Sequence, residues 1–307
     1  MKLATTTVDL HHYADSYPKR IALYTKTPFK YLDFGLYLDF LSDSWKTVIE
    51  DAKKAAESYG FQFVQAHAAD FYPLHPDHDR KTEVLKTERA IEACHMLGIP
   101  NVVVHPSIPP GSNVQYPEGR EAFFEHNKRA YELLFPAMEK YQVNVLIENS
   151  AEVNMKGRYF FMTGQEMRDF LDYVDHPYLK AVWDIGHANL RGNNQYEDLV
   201  ALGDKLAALH IQDNDGNRDE HTAPFQGTTN MDAIMQGLID INYKGYFTFE
   251  SNNFLVRAGS WPYKRRAFEG KQANRLDHPS LELKLMAENL LYEIGRHILT
   301  QYDLYED

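Results

Sequence analysis

The stretch HIQDNDGNRDEH, residues 210–221, crowds His210, Asp213, Asp215, Asp219, Glu220 and His221 into a few positions. Like charges this close repel one another unless a cation sits among them. The same residue types recur in other short stretches: Glu148 in LIENS, Asp184 and His187 in VWDIGH, and Glu250 in FTFES. Two further histidines, His67 and His105, lie in FQFVQAH and NVVVHP. Glu148, Asp184, His210 and Glu250 together offer carboxylates and an imidazole, a hard, mostly oxygen donor set. Such a set suits one divalent metal (Mn, Co, Mg or Zn), and without thiolates a purely structural zinc site is not expected. No organic cofactor is expected.

Residues so far apart in the chain need a scaffold that gathers them. Short apolar runs alternate with helical patterns from end to end. The runs KLATTTVDL, KYLDFGLYL, FQFVQAH, NVVVHP, VNVLIENS, LKAVWDIGH, LAALHIQD and GYFTFES read as strands. They are continuous, not alternating, as strands buried on both faces are. Between them SWKTVIEDAKKAAESYG, the segment from about Thr82 to Gly98, GREAFFEHNKRAYELLFPAMEKY, TGQEMRDFLDYV, YEDLVALG and MDAIMQGLIDINY read as helices. This order predicts a parallel α/β sheet, open or closed. His67, His105, Glu148, Asp184, His210 and Glu250 each fall at the C-terminal end of a different predicted strand. In a closed barrel those ends ring one mouth. An open sheet would spread them along an edge. The expectation is therefore a (β/α)8 TIM barrel, one domain over residues 1–307, with a long loop at about 251–280 and a C-terminal helix at about 281–303.

The motifs VVVHPS, IENS, DIGH, HIQDND…DEH followed by FQGTTNMD, and FESN give the chain a wider likeness. It resembles the xylose-isomerase-like barrels, which include ketose 3-epimerases, sugar-phosphate isomerases and epimerases, inosose dehydratases and the endonuclease IV nucleases. The resemblance covers nearly the whole chain. It implies one divalent metal on Glu148, Asp184, His210 and Glu250, with Glu148 and Glu250 also flanking substrate as acid/base groups. A ketose carbonyl chelated there would lose its neighbouring proton to an enediolate. One glutamate takes the proton and the other returns one to the opposite face. His187 matches the family histidine that hydrogen-bonds a substrate oxygen. Trp183 and Arg218 are further candidates for substrate contact. Asn154 and Gly216 stand where characterised epimerases carry a glutamate and an arginine, so the sugar does not follow from the family. The implied activity is that of a metal-dependent sugar isomerase or epimerase on a ketose or keto-polyol, phosphorylated or not. Three alternatives remain open: a lyase on a keto-sugar or keto-inositol, an endonuclease IV-like trinuclear zinc phosphodiesterase, and a sugar-binding barrel without catalysis. For the nuclease reading, His67, His105, Asp219 and His221 supply additional ligands.

Bulk properties narrow the partners. The chain has 44 acidic and 32 basic residues and a net charge of −12, which argues against nucleic acid as the main partner. A small-molecule sugar or sugar phosphate fits better, and a homo-oligomer is left open. Its single cysteine, Cys94, lies in an apolar helical pattern, so a buried thiol and no disulfide framework are expected. No run approaches the roughly 20 apolar residues of a membrane span, and MKLATTTVDLHH lacks signal-peptide features. A cytoplasmic location is expected. After Glu250, Arg257, Lys264, Arg265, Arg266, Lys271 and Arg275 form a basic stretch with Trp261 and Tyr263. It reads as a lid that binds phosphate or as a surface segment.

Overall fold

A computed structural model describes residues 1–110, 114–255, 262 and 276–307. The basic stretch from Arg257 to Arg275, with Trp261 and Tyr263, therefore lies outside the described residues. Eight strands carry the fold: β1 (Leu3–Thr6), β2 (Tyr31–Gly35), β3 (Gln62–His67), β4 (Asn101–Val103), β5 (Asn144–Glu148), β6 (Leu179–Asp184), β7 (Leu206–His210) and β8 (Phe247–Phe249). All pair in parallel, in the order β7-β6-β5-β4-β3-β2-β1-β8. A parallel bridge from Ile211 to Phe249 joins the two ends of that order. There the Ile211 amide donates to the Thr248 carbonyl at 2.8 Å, and the Glu250 amide donates to Ile211 at 2.9 Å. The sheet thus closes on itself as a (β/α)8 barrel, and His210 and Glu250 are fastened side by side at the seam.

The strand interiors explain which residues reach the mouth. Val103, Leu146, Val182 and Ala208 form a small apolar cluster of their own inside the barrel. Side chains two residues apart share a face of a strand. His105, Glu148, Asp184 and His210 are each two residues further on, so they point inward one layer higher, at the C-terminal rim. On the opposite wall the interior is polar. Gln65 donates to Asp33 Oδ2 at 3.3 Å, and Thr248 donates to Gln65 Oε1 at 3.2 Å.

Three elements differ from expectation. The helix expected over 119–141 is two, Arg120–Tyr131 and Phe135–Tyr141. Pro136 in the first turn of the second is the cause, since proline has no N–H to donate and clashes with the preceding turn. The first strand stops at Thr6, whose hydroxyl accepts from the Val8 amide and starts a 3-10 turn over Thr7–Tyr13. The sixth strand stops at Asp184, and a helix runs over Ile185–Arg191. The last helix spans Leu281–Gln301 and is capped by Ser280. Cys94 is fully buried in the helix Arg80–Leu97, and burial pushes its thiol pKa up. Among the described residues no helix is long and apolar enough to cross a membrane.

Candidate metal centre

At the mouth, the ligand-type side chains fall into three groups. Glu148, Asp184, His210 and Glu250 offer donor atoms within 4.8 Å of one another. His67, His105 and Glu148 form a second group with the same spacing, and His187, Asp219 and His221 a third. Glu148 is shared by the first two. Its Oε1 lies 2.7 Å from His210 Nδ1, and its Oε2 2.7 Å from His105 Nε2. Glu250 Oε2 approaches the same His210 nitrogen at 3.4 Å. Thus one imidazole nitrogen faces both glutamates.

The outward nitrogen of every histidine is informative. His67 Nδ1 donates to the Ala68 carbonyl at 2.9 Å, His187 Nδ1 to Asn149 at 2.9 Å, and His221 Nδ1 to Glu250 at 2.9 Å. A carbonyl can only accept, so each of these rings is fixed with Nε2 turned toward a carboxylate. Those carboxylate atoms are Glu148 Oε2 at 3.9 Å, Asp219 Oδ2 at 3.0 Å and Asp219 Oδ1 at 3.2 Å respectively. His105 and His210 turn their outer nitrogens toward Asp70 (3.7 Å) and Asp33 (3.7 Å). His210 Nε2 makes no hydrogen bond. An imidazole anchored through one nitrogen and presenting the other is the outer-shell pattern of metal-binding histidines. The donor set of Glu148, Asp184, His210 and Glu250 fits a divalent ion, and the rings anchored in this way belong to the other two groups.

The electrostatics agree with that fit. Burial opposes ionisation of Glu148, but His210 and His105 hold its carboxyl well below the usual range. Burial raises Glu250 to about 7 against the pull of His210 and His221. Burial also disfavours the charged form of His105, yet Asp70 and Glu148 lift it to about 9. His221 is raised to about 10 in the same way by Asp219 and Glu250. Among the described residues the only cationic partners of these carboxylates are imidazoles, whose protons a metal would displace.

Local structure explains the placements. Asp184 ends β6 and caps the next helix, accepting from the His187 amide at 2.7 Å. Gly186 follows because a Cβ there would stand 2.1 Å from Gln212 Cδ. In the stretch 210–221 only part of the charge goes to the centre. Asp213 accepts from the amides of Asn214, Gly227 and Thr229, and Glu220 accepts from the Asp215 amide. Those acids shape the loop, whereas Asp219 and His221 reach the mouth. Asn154 donates to Asp219 Oδ2 at 2.8 Å.

Three expectations change. Trp183 does not reach the mouth: it is fully buried, and its indole donates to Gln195 at 3.3 Å. It neighbours Asp184 on the strand, so it faces the helices while Asp184 faces the interior. Arg218 is exposed on the loop and is not brought to the ligand groups. Both ring nitrogens of His187 are engaged within the protein, so a substrate contact from it requires the Asp219 bond to open. Sequence reasoning also missed residues. Gln212 donates to Asp184 Oδ1 at 3.2 Å and Asp219 Oδ1 at 3.0 Å, linking two groups. Asn149 accepts from the Asp184 amide at 2.8 Å and donates to its carbonyl at 2.9 Å. Asp33 and Asp70 back the histidines.

Fold and donor set together define a closed parallel barrel with three candidate groups of metal ligands at its mouth. The chain belongs to the xylose isomerase-like TIM barrel family, which it matches over residues 25–268. It is 28% identical over 177 residues to an uncharacterized protein of Sinorhizobium fredii, covering 58% of this chain and 55% of that one. The chain thus spans little more than half the length of that relative. A stretch of 80 residues is 47% identical to fructoselysine 3-epimerase of Escherichia coli O157:H7, covering 26% of this chain and 29% of that enzyme. Among solved structures, D-psicose 3-epimerase in the presence of D-fructose superposes with a TM-score of 0.75 at 16% identity, over 97% of this chain and 99% of the other.

Proposed function

We propose that the protein is a divalent-metal-dependent sugar isomerase or epimerase that removes a proton beside the carbonyl of a ketose or keto-polyol. The observation that supports it is the pair of glutamates, Glu148 and Glu250, set about one imidazole nitrogen of His210. Glu148, Asp184, His210 and Glu250 would hold the ion. When bound, the ion supplies Lewis acidity that polarises the carbonyl and acidifies the neighbouring C–H. The two carboxylates then have complementary tasks: one accepts the proton, and the other delivers one to the opposite face. Glu250, with 17% of its side chain exposed against 3% for Glu148, is the more open to a sugar. Backbone carbonyls anchor the imidazoles of His67, His187 and His221 around the centre. The likeness to ketose 3-epimerases supports the same reading.

Incubating the metal-loaded protein with a panel of ketoses in D2O tests it. Deuterium should enter at the carbon beside the carbonyl, and Glu148→Gln and Glu250→Gln should each lower that rate by about 10²–10⁴-fold. Full activity in either variant with metal still bound would sink the two-carboxylate mechanism. Loss of product mass equal to an expelled group would instead identify a lyase.

The three ligand groups favour a second reading, a multinuclear phosphodiesterase, because clustered metals suit that chemistry. Elemental analysis giving two or more zinc ions per chain, with cleavage of an abasic-site oligonucleotide, would put it first.

A further inference from the structure

A cavity of about 590 Å³ opens beside the centre. Two of its lining residues belong to the ligand network. His105 Nε2 is the atom 2.7 Å from Glu148, and Asn154 is the residue bonded to Asp219. Through these two residues the chamber adjoins the ligand network, while Glu148, Asp184, His210 and Glu250 themselves lie outside its lining. The chamber has space for about 20 waters at their liquid volume of roughly 30 Å³ each. A hexose reacting at Glu148 and Glu250 would leave most of that space empty.

The walls say what else belongs there. Pro106, Ile108, Met155 and Phe160 contribute apolar surface to the lining, and the exposed Arg158 contributes a cation. Most of the charged or titratable lining groups face an opposite partner. Asp70 faces His105 at 3.7 Å, His75 faces Asp77 at 3.8 Å, and His78 faces Glu83 at 3.6 Å. Arg158 differs. Its Nε donates to the Met155 carbonyl at 3.2 Å, and among the described residues no carboxylate pairs with its guanidinium. An unpaired guanidinium in a partly apolar lining suits the two oxygens of a carboxylate at the end of a carbon chain. We infer that the substrate is a ketose carrying an extended substituent that ends in a carboxylate, with the substituent lying in this chamber and the carboxylate on Arg158. This rests on the ketose reading above and names the class of sugar.

Calorimetric titration of the metal-loaded protein tests it. The probes are fructose, fructose 6-phosphate, and fructose joined to an amino acid through nitrogen at carbon 1 or at carbon 6, each conjugate as free acid and as amide. One free-acid conjugate should bind at least about tenfold tighter than fructose, a difference of about 1.4 kcal/mol, and its amide should lose that gain. Arg158→Met should remove the gain and leave fructose affinity unchanged, while Arg158→Lys keeps part of it. Equal binding of acid and amide, or a gain that survives Arg158→Met, overturns the assignment. An Arg158-dependent gain for fructose 6-phosphate alone also overturns it, in favour of phosphate. Deuterium incorporation into the tightest-binding free-acid conjugate is followed in parallel. Its absence beside an intact Arg158-dependent gain would reject the reaction and leave the chamber assignment standing.

Discussion

Two clusters of buried charge lie in this barrel, and they are balanced differently. One is the mouth, where, among the described residues, histidines are the only cationic partners of Glu148, Asp184, Asp219 and Glu250. The other lies under the last helix, where Asp9, Lys284 and Glu288 are almost fully buried. Lys284 Nζ stands 3.6 Å from Asp9 and 3.7 Å from Glu288, and it donates to the Phe254 carbonyl at 2.9 Å. Thr5 donates to Glu288 at 3.2 Å. Burial, followed by the nearby Asp9, raises the Glu288 carboxyl well above its usual range. A protonated Glu288 leaves Asp9 and Lys284 as one opposite pair, so the second cluster is neutral with its own residues. The first relies on imidazolium protons, which are exchangeable for a metal. A permanent cation ties chain segments together; replaceable protons mark a place for a ligand.

The largest effect that could break this contrast is on stability. Lys284→Met should cost about 3–5 kcal/mol, the usual result of leaving buried charge without its partner. Metal content should not change. Asp184→Asn should cost the metal-free protein less than about 1 kcal/mol, because it relieves repulsion while Gln212 still donates nearby. Urea unfolding of both variants decides. If Asp184→Asn proves the costlier in metal-free protein, the mouth is structural too. Removing metal with a chelator comes next. Saturation at 100 times Kd adds about 2.7 kcal/mol to stability, so chelation should withdraw that much from wild type and from Lys284→Met alike. Equal thermal midpoints with and without chelator would mean that no ion rests on the carboxylates.

A smaller effect separates the clusters by pH. The folded Glu288 keeps its proton where the unfolded chain has released it. Its contribution to stability is full below about 4.5, the ordinary glutamate value, and is lost as pH rises toward the folded pKa. Gln cannot titrate. Glu288→Gln should therefore gain on wild type as urea midpoints are followed from pH 4.5 to 8. A constant difference across that range would place an ionised carboxylate under the helix.

The two clusters were not equally legible. The mouth showed in the sequence because chemically odd residues ended apolar runs, and strand ends gather at one rim of a barrel. Its outer partners did not. Asn149 and Gln212 sit inside the quoted motifs with nothing local to distinguish them. Asp33 was readable as an acid in the apolar run YLDFG, and Trp183 was assignable to the outer face by alternation with Asp184. The second cluster was hidden. In LELKLMAENL the pair Lys284 and Glu288 looks like a solvated helix face, and only contact with Asp9, near the other end of the chain, turns it inward. Periodicity reports that a helix has faces but not which one a distant segment covers.

The smallest effect concerns the rim. Arg218 is the one arginine in the stretch 210–221, adjacent to Asp219, and would be the obvious permanent cation if the protein balanced the mouth by itself. The structure leaves it exposed, with its backbone amide on Asp215 Oδ1 at 3.2 Å. An exposed charge at a rim alters encounter more than affinity, and its pairings contribute about 0–1 kcal/mol. Arg218→Ala should therefore change kcat/KM by less than about threefold, with metal content unaltered and a weaker dependence on salt. A loss beyond tenfold, insensitive to salt, would put its guanidinium over the carboxylates during turnover. The mouth would then resemble the cluster under the helix, closed by a resident cation, and a metal would no longer be required to explain why so many acids share it.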